Sequence, residues 1–134
     1  MTNEIPEGYY RISIKALVLN EDRTKFMLIK DETGHWDLPG GGIKWGENVV
    51  ECLEREIEEE MGLQVENIEN RPSYFFTFVN ESVKYAYTIY ETILSKGEFT
   101  TSDECEEIRL VSIEEARSLL IRPNVEYFLG VCKI

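Results

Sequence analysis

Seven glutamates crowded into fourteen residues carry the clearest chemical signal in this sequence. They occupy positions 47, 51, 54, 56, 58, 59 and 60, with one basic residue, Arg55, among them. Glu56, Glu59 and Glu60 stand at i, i+3 and i+4, so in a helix their side chains project from one face. Like charges at this spacing destabilise a helix by about 0.2–0.5 kcal/mol per pair. A bound Mg²⁺ or Mn²⁺ would reverse that effect, because these ions prefer oxygen ligands and bridge carboxylates to phosphates. Composition alone leaves open the alternative of a solvated acidic face on a surface helix.

A run of glycines lies just before these glutamates. Gly40, Gly41 and Gly42 follow a Leu-Pro pair. Three consecutive glycines stabilise neither a helix nor a strand, so they predict a loop whose backbone can approach a ligand closely. Lys44 and Trp45 lie in the same predicted loop. Lys44 is a candidate phosphate contact, and Trp45 could reach solvent or a ligand.

The chain as a whole is strongly acidic. Its 134 residues hold 26 Asp and Glu against 14 Lys and Arg, a net charge of −12. This charge repels nucleic-acid backbones and anionic membranes, so neither is an expected partner. If the ligand is a phosphate compound, a divalent cation must lie between it and the carboxylates. Three widely spaced cysteines, and no recognisable leader or membrane span, predict a cytoplasmic protein with a single domain over 1–134.

The elements that must position the glutamates follow from hydrophobic periodicity. Strands are predicted over residues 10–19, 25–30, 71–79, 83–94 and 108–111. Helices are predicted over residues 47–61, 112–120 and 123–131. The first two strands are expected to pair as a hairpin, and Gly62 is expected to end the first helix. Strands around a central helix, with further helices at the end, indicate an α/β or α+β fold with a mixed sheet covered by helices.

Aromatic residues cluster in the predicted strand over 71–79. Alternate side chains of a strand face the core, so at most half of these rings can contact a ligand. Phe76 is a candidate ring for stacking on a base, with core packing as the ordinary alternative.

The glycines and glutamates share a fixed spacing. From Gly41 the pattern is five residues, Glu47, seven residues, and then Arg-Glu-Ile-Glu-Glu-Glu-Met-Gly-Leu, which ends at Leu63. It matches the Nudix box, G-x5-E-x7-R-E-U-x-E-E-x-G-U with U apolar, at every specified position. A chance match in a chain of this composition is on the order of a few per million. The sequence therefore resembles a Nudix hydrolase, through a box of 23 of its 134 residues.

The resemblance implies an α/β/α sandwich in which the box forms a loop–helix–loop motif. It implies hydrolysis of a nucleoside diphosphate linked to another group, with Mg²⁺ as the cofactor and Mn²⁺ as a possible substitute. The implied metal ligands are the carboxylates of Glu56, Glu59 and Glu60 and the carbonyl of Gly40. Homodimers are common in the family, so a homodimer is a possible assembly.

Four further box positions have structural roles by the same resemblance. Glu47 and Arg55 would pair and tie the loop to the helix, and Arg55 would also orient Glu56. Gly41 and Gly62 would serve the backbone geometry of the motif.

The implied chemistry also needs a general base, for which the resemblance leaves two sources open. Glu59 lies within the box. Glu104 belongs to an acidic stretch just before the predicted strand over 108–111, where some family members carry a loop carboxylate. We favour Glu104, and the alternative is that this stretch is only a solvated acidic loop.

Family features that mark particular substrates are missing. Val79 stands where ADP-ribose enzymes tend to carry proline, and Glu81 stands where diadenosine polyphosphate enzymes tend to carry tyrosine. The NADH and coenzyme A signatures are absent too. By elimination, the predicted substrate is a (deoxy)nucleoside triphosphate or a related small nucleotide. Two alternatives are a noncatalytic Nudix-fold sensor that binds a nucleotide, and an acidic module that only binds a cation.

Overall fold

The computed structural model describes residues 5–134 of the chain, in which eight strands and three helices occur. The strands are β1 (Arg11–Leu17), β2 (Phe26–Lys30), β3 (Trp36–Asp37), β4 (Gly40–Gly42), β5 (Val65–Ile68), β6 (Tyr74–Asn80), β7 (Val83–Leu94) and β8 (Glu107–Val111). The helices are α1 (Val49–Met61), α2 (Ile113–Arg117) and α3 (Pro123–Val131). None of these helices has the length and apolarity needed to cross a bilayer.

The strands form two sheets, of which the larger is mixed. Its order is β4-β1-β7-β5, and β6 also pairs with β7. The β1–β7 pair is parallel, and the other pairs are antiparallel. The smaller sheet is antiparallel in the order β3-β2-β8. The mixed sheet expected from the sequence is therefore confirmed.

Helices cover the larger sheet on both faces because β1 and β7 alternate apolar side chains between two cores. In β1, Ile14 and Ala16 pack with Leu53 and Ile57 of α1. Leu17 faces the other side, in the cluster that contains residues of α3. The β7 residue Ile89 packs in this second cluster too. This arrangement is the α/β/α sandwich that the resemblance implies.

Helix α1 begins and ends at residues with recognisable capping chemistry. Asn48 caps its start: the side chain accepts a hydrogen bond from the Glu51 N–H, and the Glu51 carboxylate accepts one from the Asn48 N–H. Gly62 ends it in the left-handed conformation at φ 67°, and its N–H donates to the Glu58 carbonyl. The predicted helix end is confirmed, and the start lies two residues later than predicted because Asn48 is extended.

The predicted hairpin between the first two strands forms only next to its turn. There the Asn20 N–H donates to the Lys25 carbonyl, the Met27 N–H donates to the Val18 carbonyl, and Leu19 and Phe26 form an isolated antiparallel bridge. Both edges of β1 are already occupied, by β4 and β7. Strand β2 therefore pairs in the smaller sheet.

Three other local predictions need correction. The glycine run forms strand β4 instead of a loop, because its backbone pairs with β1. Strand β5 was not predicted, since it is short and carries Glu66 and Asn67 in its middle. Helix α2 ends at Arg117, well before 120, because the following segment turns to pair with β3: the Trp36 N–H donates to the Leu120 carbonyl.

Candidate active site

A cavity of about 480 Å³ opens between β1, β4, α1 and the loop before β8. Seven carboxylates and two cationic side chains line it within the described part of the chain. The carboxylates belong to Asp31, Glu32, Asp37, Glu56, Glu60, Asp103 and Glu104, and the cations to Lys15 and Arg122. Lys15 pairs with Asp37, and Arg122 pairs with Asp31. The lining residues supply no cation for the other five carboxyl groups, so the cavity has a large excess of negative charge.

Three of these carboxylates converge in a group that could hold a metal ion. Glu56 and Glu60 come from consecutive turns of α1, and Glu104 comes from the loop before β8. One oxygen from each lies within 4.8 Å of the other two. Three hard oxygen donors suit Mg²⁺ or Mn²⁺, which are bound by carboxylates and keep several waters.

Glu60 is the most buried member of this group, at 6% exposed. Its Oε1 accepts a hydrogen bond from the Gly40 N–H at 2.9 Å. Burial raises the pKa of Glu60 to about 8, against the opposing effects of Lys15 and the Gly40 N–H. A carboxyl group whose charge is this costly gains from a nearby dication, which would favour the ionised form.

The loop that carries Glu104 is tied directly to the C-terminal end of α1. Ser102 Oγ donates to the Glu60 carbonyl at 2.8 Å and accepts from the Glu104 N–H at 3.2 Å. Burial raises the pKa of Glu104, and the neighbouring carboxylates of Glu56 and Glu59 raise it further. The loop therefore lies next to the box helix, with Glu104 itself exposed.

Arg55 links the start of the box to its carboxylates. Its Nε and Nη2 donate to the two oxygens of Glu47 at 2.6 and 2.9 Å. Its Nη1 donates to Glu56 Oε1 at 2.8 Å. The hydrogen bond from Arg55, together with the Lys44 N–H, lowers the pKa of Glu47 to about 2. The structure thus brings together the pair that the resemblance implies, and Arg55 also holds Glu56 in place.

Two glycines allow the box to pack closely. A Cβ at Gly41 would lie 2.7 Å from the Glu56 carboxylate. Gly40 has φ +114°, and a Cβ there would lie 2.2 Å from the Ile14 carbonyl oxygen. Larger residues would therefore displace Glu56 or separate β4 from β1.

Sequence analysis missed a series of hydrogen-bonded polar side chains, Lys15, Asp37 and Asn124, beside the cavity. Lys15 is 4% exposed, and its Nζ donates to Asp37 Oδ2, the Leu38 carbonyl and the Gly40 carbonyl at 3.1, 3.1 and 2.9 Å. Asp37 Oδ1 accepts from Asn124 Nδ2 at 2.9 Å. Burial alone would lower the pKa of Lys15, but Asp37 and Glu60 outweigh it and the pKa is raised. A single lysine inside the apolar strand β1 was the available signal.

A second group that sequence analysis missed also lines this cavity. Arg122, just before α3, donates from Nε and Nη2 to Asp31 Oδ2 at 3.1 and 2.5 Å, and from Nη2 to Thr33 Oγ1 at 3.2 Å. Although burial opposes the change, hydrogen bonds from Thr33, Arg122 and the His35 N–H lower the pKa of Asp31 to about 2. These residues are about ninety positions apart in the sequence, and no local pattern joins them.

The other predicted site residues are not members of the convergent carboxylate group. Glu59 has a side chain 47% exposed, which faces Arg55 Nη1 at 3.4 Å. Lys44 is exposed and does not line the cavity. Trp45 is fully exposed beside a second cavity of about 500 Å³, which meets the first at Gly42. Both remain predictions as substrate contacts.

The candidate stacking role of Phe76 does not agree with the structure. Phe76 is 6% exposed, and its ring stacks on Tyr87 and Tyr127 at centroid distances of 5.8 and 4.6 Å. Its side of β6 faces α3, so the ring belongs to the core.

Comparisons with known proteins agree with this geometry. The family model described as NUDIX domain matches residues 9–129. The chain is 30% identical over 95 residues to a nucleoside triphosphatase NudI of Enterobacter sp. (strain 638), which covers 64% of this chain and 67% of that protein. It is 36% identical over 66 residues to Nudix hydrolase 6 of Arabidopsis thaliana, covering 45% of this chain but only 23% of the plant protein. The crystal structure of a MutT protein from Methanosarcina mazei Go1 superposes with a TM-score of 0.73 at 25% identity, covering 94% of both chains.

A mixed sheet between helices, with a carboxylate-lined cavity beside helix α1, defines an α/β/α protein with a candidate metal site. Since the family model covers nearly the whole chain, this protein belongs to the Nudix family. The match over residues 9–129 includes both the box and the later loop that carries Glu104.

Proposed function

We propose that this protein is a Mg²⁺-dependent hydrolase that cleaves a phosphoanhydride bond in a small nucleotide. The observation that carries the proposal is the convergence of Glu56, Glu60 and Glu104 within 4.8 Å in a cavity dominated by carboxylates. A polyphosphate can enter this cavity only with cations that neutralise both partners. Neither Lys15 nor Arg122 can take that part, because both are engaged with protein oxygens.

Different side chains of the site would bind the metal, position its ligands and accept the proton in such a reaction. When bound, Mg²⁺ would neutralise the diphosphate and lower the pKa of a coordinated water. Glu56 and Glu60 would hold it, with Arg55 keeping Glu56 in position and the Gly40 N–H keeping Glu60 in position. Glu104 would accept the proton of the attacking water, because its carboxylate faces the group from a separate loop. Glu59 stays the second candidate for the base and for a further metal ligand.

The substrate class is proposed to be a (deoxy)nucleoside triphosphate or a closely related nucleotide. The NudI relative is named a nucleoside triphosphatase, which agrees with the choice made from the missing substrate signatures. All four glutamates that the box specifies are retained, and each of them contacts Arg55 or lines the cavity, which favours catalysis over a nucleotide sensor that only binds.

The test is a Mg²⁺-dependent hydrolysis screen over nucleoside triphosphates, ADP-ribose, dinucleoside polyphosphates, NADH and nucleotide sugars. Products are separated by chromatography to show which phosphate is attacked. We expect Glu60→Gln to reduce kcat/KM by at least about a hundredfold, because it removes a charged metal ligand. Glu58→Gln is the matched control, since Glu58 lies on the same helix but is exposed and outside the cavity.

The outcomes separate the two functional classes. Hydrolysis that is lost in Glu60→Gln and kept in Glu58→Gln supports the proposal. Tight nucleotide binding without hydrolysis of any compound in the panel would instead identify a sensor domain.

We also propose that the protein acts as one domain in the cytoplasm, with a small nucleotide as its partner. The three cysteines are free thiols in the structure, which suits a reducing compartment. A homodimer remains a proposal that sedimentation of the purified protein can test.

A further inference from the structure

Ser102 lies where the segment before β8 meets the C-terminal end of α1. The last carbonyls of a helix have no partner within it, so they can accept hydrogen bonds from elsewhere in the chain. Two of them accept from this segment: the Thr100 N–H donates to the Met61 carbonyl at 2.9 Å, and Ser102 Oγ donates to the Glu60 carbonyl at 2.8 Å. The segment is therefore held on the helix end by one backbone donor and one side-chain donor.

A tight turn that begins at Ser102 carries Glu104. The Ser102 N–H donates to the Cys105 carbonyl at 2.9 Å, and the Cys105 N–H donates to the Ser102 carbonyl at 3.2 Å. Asp103 and Glu104 lie between these two residues, and both line the cavity. Cys105 is fully buried in the hydrophobic cluster that contains Ile57 of α1. Both ends of the turn are thus attached to α1, through the hydroxyl of Ser102 and through the apolar packing of Cys105.

The three convergent carboxylates differ in what holds them. Glu56 accepts a hydrogen bond from Arg55, and Glu60 accepts one from a backbone N–H of β4. In the described part of the chain, the Glu104 carboxylate accepts no hydrogen bond, and the contact that holds this residue is made by its N–H, which donates to Ser102 Oγ at 3.2 Å. The position of the Glu104 carboxylate therefore depends on its backbone, and so on Ser102.

A single hydroxyl joins the two parts of the site. Ser102 Oγ gives its one proton to the backbone of Glu60 and accepts the Glu104 N–H on a lone pair. It therefore bridges the backbones of two residues whose carboxylates converge. Alanine at this position would leave the Glu104 N–H without that acceptor and would remove the side-chain bond between the turn and α1.

We propose that Ser102 is a positioning residue that sets the distance between the Glu104 carboxylate and the carboxylates of α1. Its contribution to the reaction passes through Glu104, because Ser102 itself does not line the cavity. The inference rests on the proposed function, in which Glu104 accepts the proton of the attacking water. The ordinary alternative is a hydroxyl that only caps α1 and stabilises the fold.

The first test is kinetic and uses the full-length protein with Mg²⁺. We expect Ser102→Ala to lower kcat about tenfold while KM changes by less than about twofold, since Glu56 and Glu60 still hold the ion. Ser102→Thr retains the hydroxyl and should recover most of the lost kcat. Ser118→Ala is the matched control, because Ser118 Oγ donates to the Glu115 carbonyl at the end of α2, outside the cavity. A change in KM alone, or equal effects of Ser102→Ala and Ser118→Ala, would overturn the inference.

A double-mutant cycle distinguishes positioning from a general loss of stability. If Ser102 acts through Glu104, Ser102→Ala should lower kcat by less than about twofold in a protein that already carries Glu104→Gln. A further tenfold loss in the double variant would show that Ser102 acts independently of Glu104 and would contradict the proposal. Ser102→Cys has a similar shape and only a weakly hydrogen-bonding thiol, so it takes the place of Ser102→Ala if that variant does not fold.

The second test reads position without an activity assay. Protein labelled with ¹⁵N is loaded with Mn²⁺, and the paramagnetic broadening of its amide signals is compared with the Mg²⁺-loaded protein. In wild type we expect the Glu104 and Gly40 amides to broaden; in Ser102→Ala, broadening should weaken at Glu104 and stay unchanged at Gly40. Unchanged broadening at Glu104 would overturn the inference and leave the proposed metal site standing. No broadening at either amide of wild-type protein would overturn the inference and the proposed function together.

Discussion

Glu59 and Glu104 are the two candidate bases, and their surroundings differ sharply. Glu104 offers an oxygen within 4.8 Å of oxygens of both Glu56 and Glu60, and its pKa is raised. Glu59 is outside that group, and its half-exposed carboxylate faces Arg55. A base must reach the attacking water and hold a proton there, and Glu104 satisfies both conditions better.

We therefore expect Glu104→Gln to lower kcat by about a hundredfold or more, the ordinary contribution of a general base. Glu59→Gln should lower it by less than about tenfold. The loss in Glu104→Gln should also remove the acid limb of the pH profile of kcat/KM, which a variant with only a weakened fold would retain. The measurement is steady-state kinetics from pH 5 to 9 at saturating Mg²⁺. A larger loss of kcat in Glu59→Gln than in Glu104→Gln would identify Glu59, which lies in the box, as the general base.

At the scale of elements, strand β4 joins the box to the rest of the sheet, and its three glycines meet different surroundings. A Cβ at Gly40 would strike the backbone of β1, and a Cβ at Gly41 would strike the Glu56 carboxylate. A Cβ at Gly42 would have no neighbour closer than 4.0 Å. The three positions therefore separate a fold requirement from a site requirement within one strand.

The alanine series at these positions should show that separation. Gly40→Ala is expected to destabilise the protein by at least about 2 kcal/mol, through clash and strain at positive φ. Gly41→Ala should weaken Mn²⁺ binding with a smaller loss of stability, and Gly42→Ala should change stability by less than about 0.5 kcal/mol. Urea denaturation and Mn²⁺ titration measure the two effects. Equal loss of stability at all three positions would show that the site and the strand are not separable.

A second link between elements ties the loop after β2 to the start of α3. Asp31 accepts two hydrogen bonds from Arg122, and its pKa of about 2 lies below the ordinary value of 3.8. Because the folded state lowers this pKa, the link stabilises the protein above about pH 4, and its contribution is lost as pH falls from 4 towards 2.

Asp31→Asn should accordingly cost about 1–2 kcal/mol of unfolding free energy at pH 6. The difference from wild type should shrink by pH 3, where the wild-type carboxyl begins to protonate. Glu32→Gln is the neighbouring control, since Glu32 is exposed. Urea midpoints at several pH values make the comparison, and a pH-independent difference would show that the link acts through packing instead of charge.

At the scale of the whole molecule, seven of the 26 acidic side chains line the cavity where the proposed ion binds, against two of the 14 basic ones. Strand β7 contributes to the cores on both faces of the sheet, so the two cores should unfold together. One calorimetric transition is therefore expected for the whole chain.

Mg²⁺ should move that transition to higher temperature. At a hundredfold excess over its dissociation constant, an ion that binds only the folded state adds about 2.7 kcal/mol. For a domain of this length the shift is on the order of 10 °C. Sodium chloride at the same ionic strength separates site binding from general screening, and Glu60→Gln should abolish the difference between the two salts. If sodium chloride raised the unfolding temperature of wild-type protein as much as magnesium does, the convergent carboxylates would be only an acidic surface and not a metal site.

The sequence by itself determined the parts of this protein that depend on short-range geometry. The spacing of Glu56 and Glu60 along one helix sets their common direction, and Gly62 ends that helix because only glycine adopts its left-handed conformation without strain. The same reasoning located β7 and α3 at their observed bounds.

Only the tertiary structure decided which residues from distant segments contact those elements. Glu104 reaches Glu60 through a loop held by Ser102, and Lys15 reaches Gly40 because β1 has β4 as its neighbour and not β2. The orientation of Phe76 towards the core was also set by which face of the sheet α3 covers. Helix and strand periodicity fixes side-chain directions over a few residues, whereas contacts between distant segments depend on how strands pair and how the cores close.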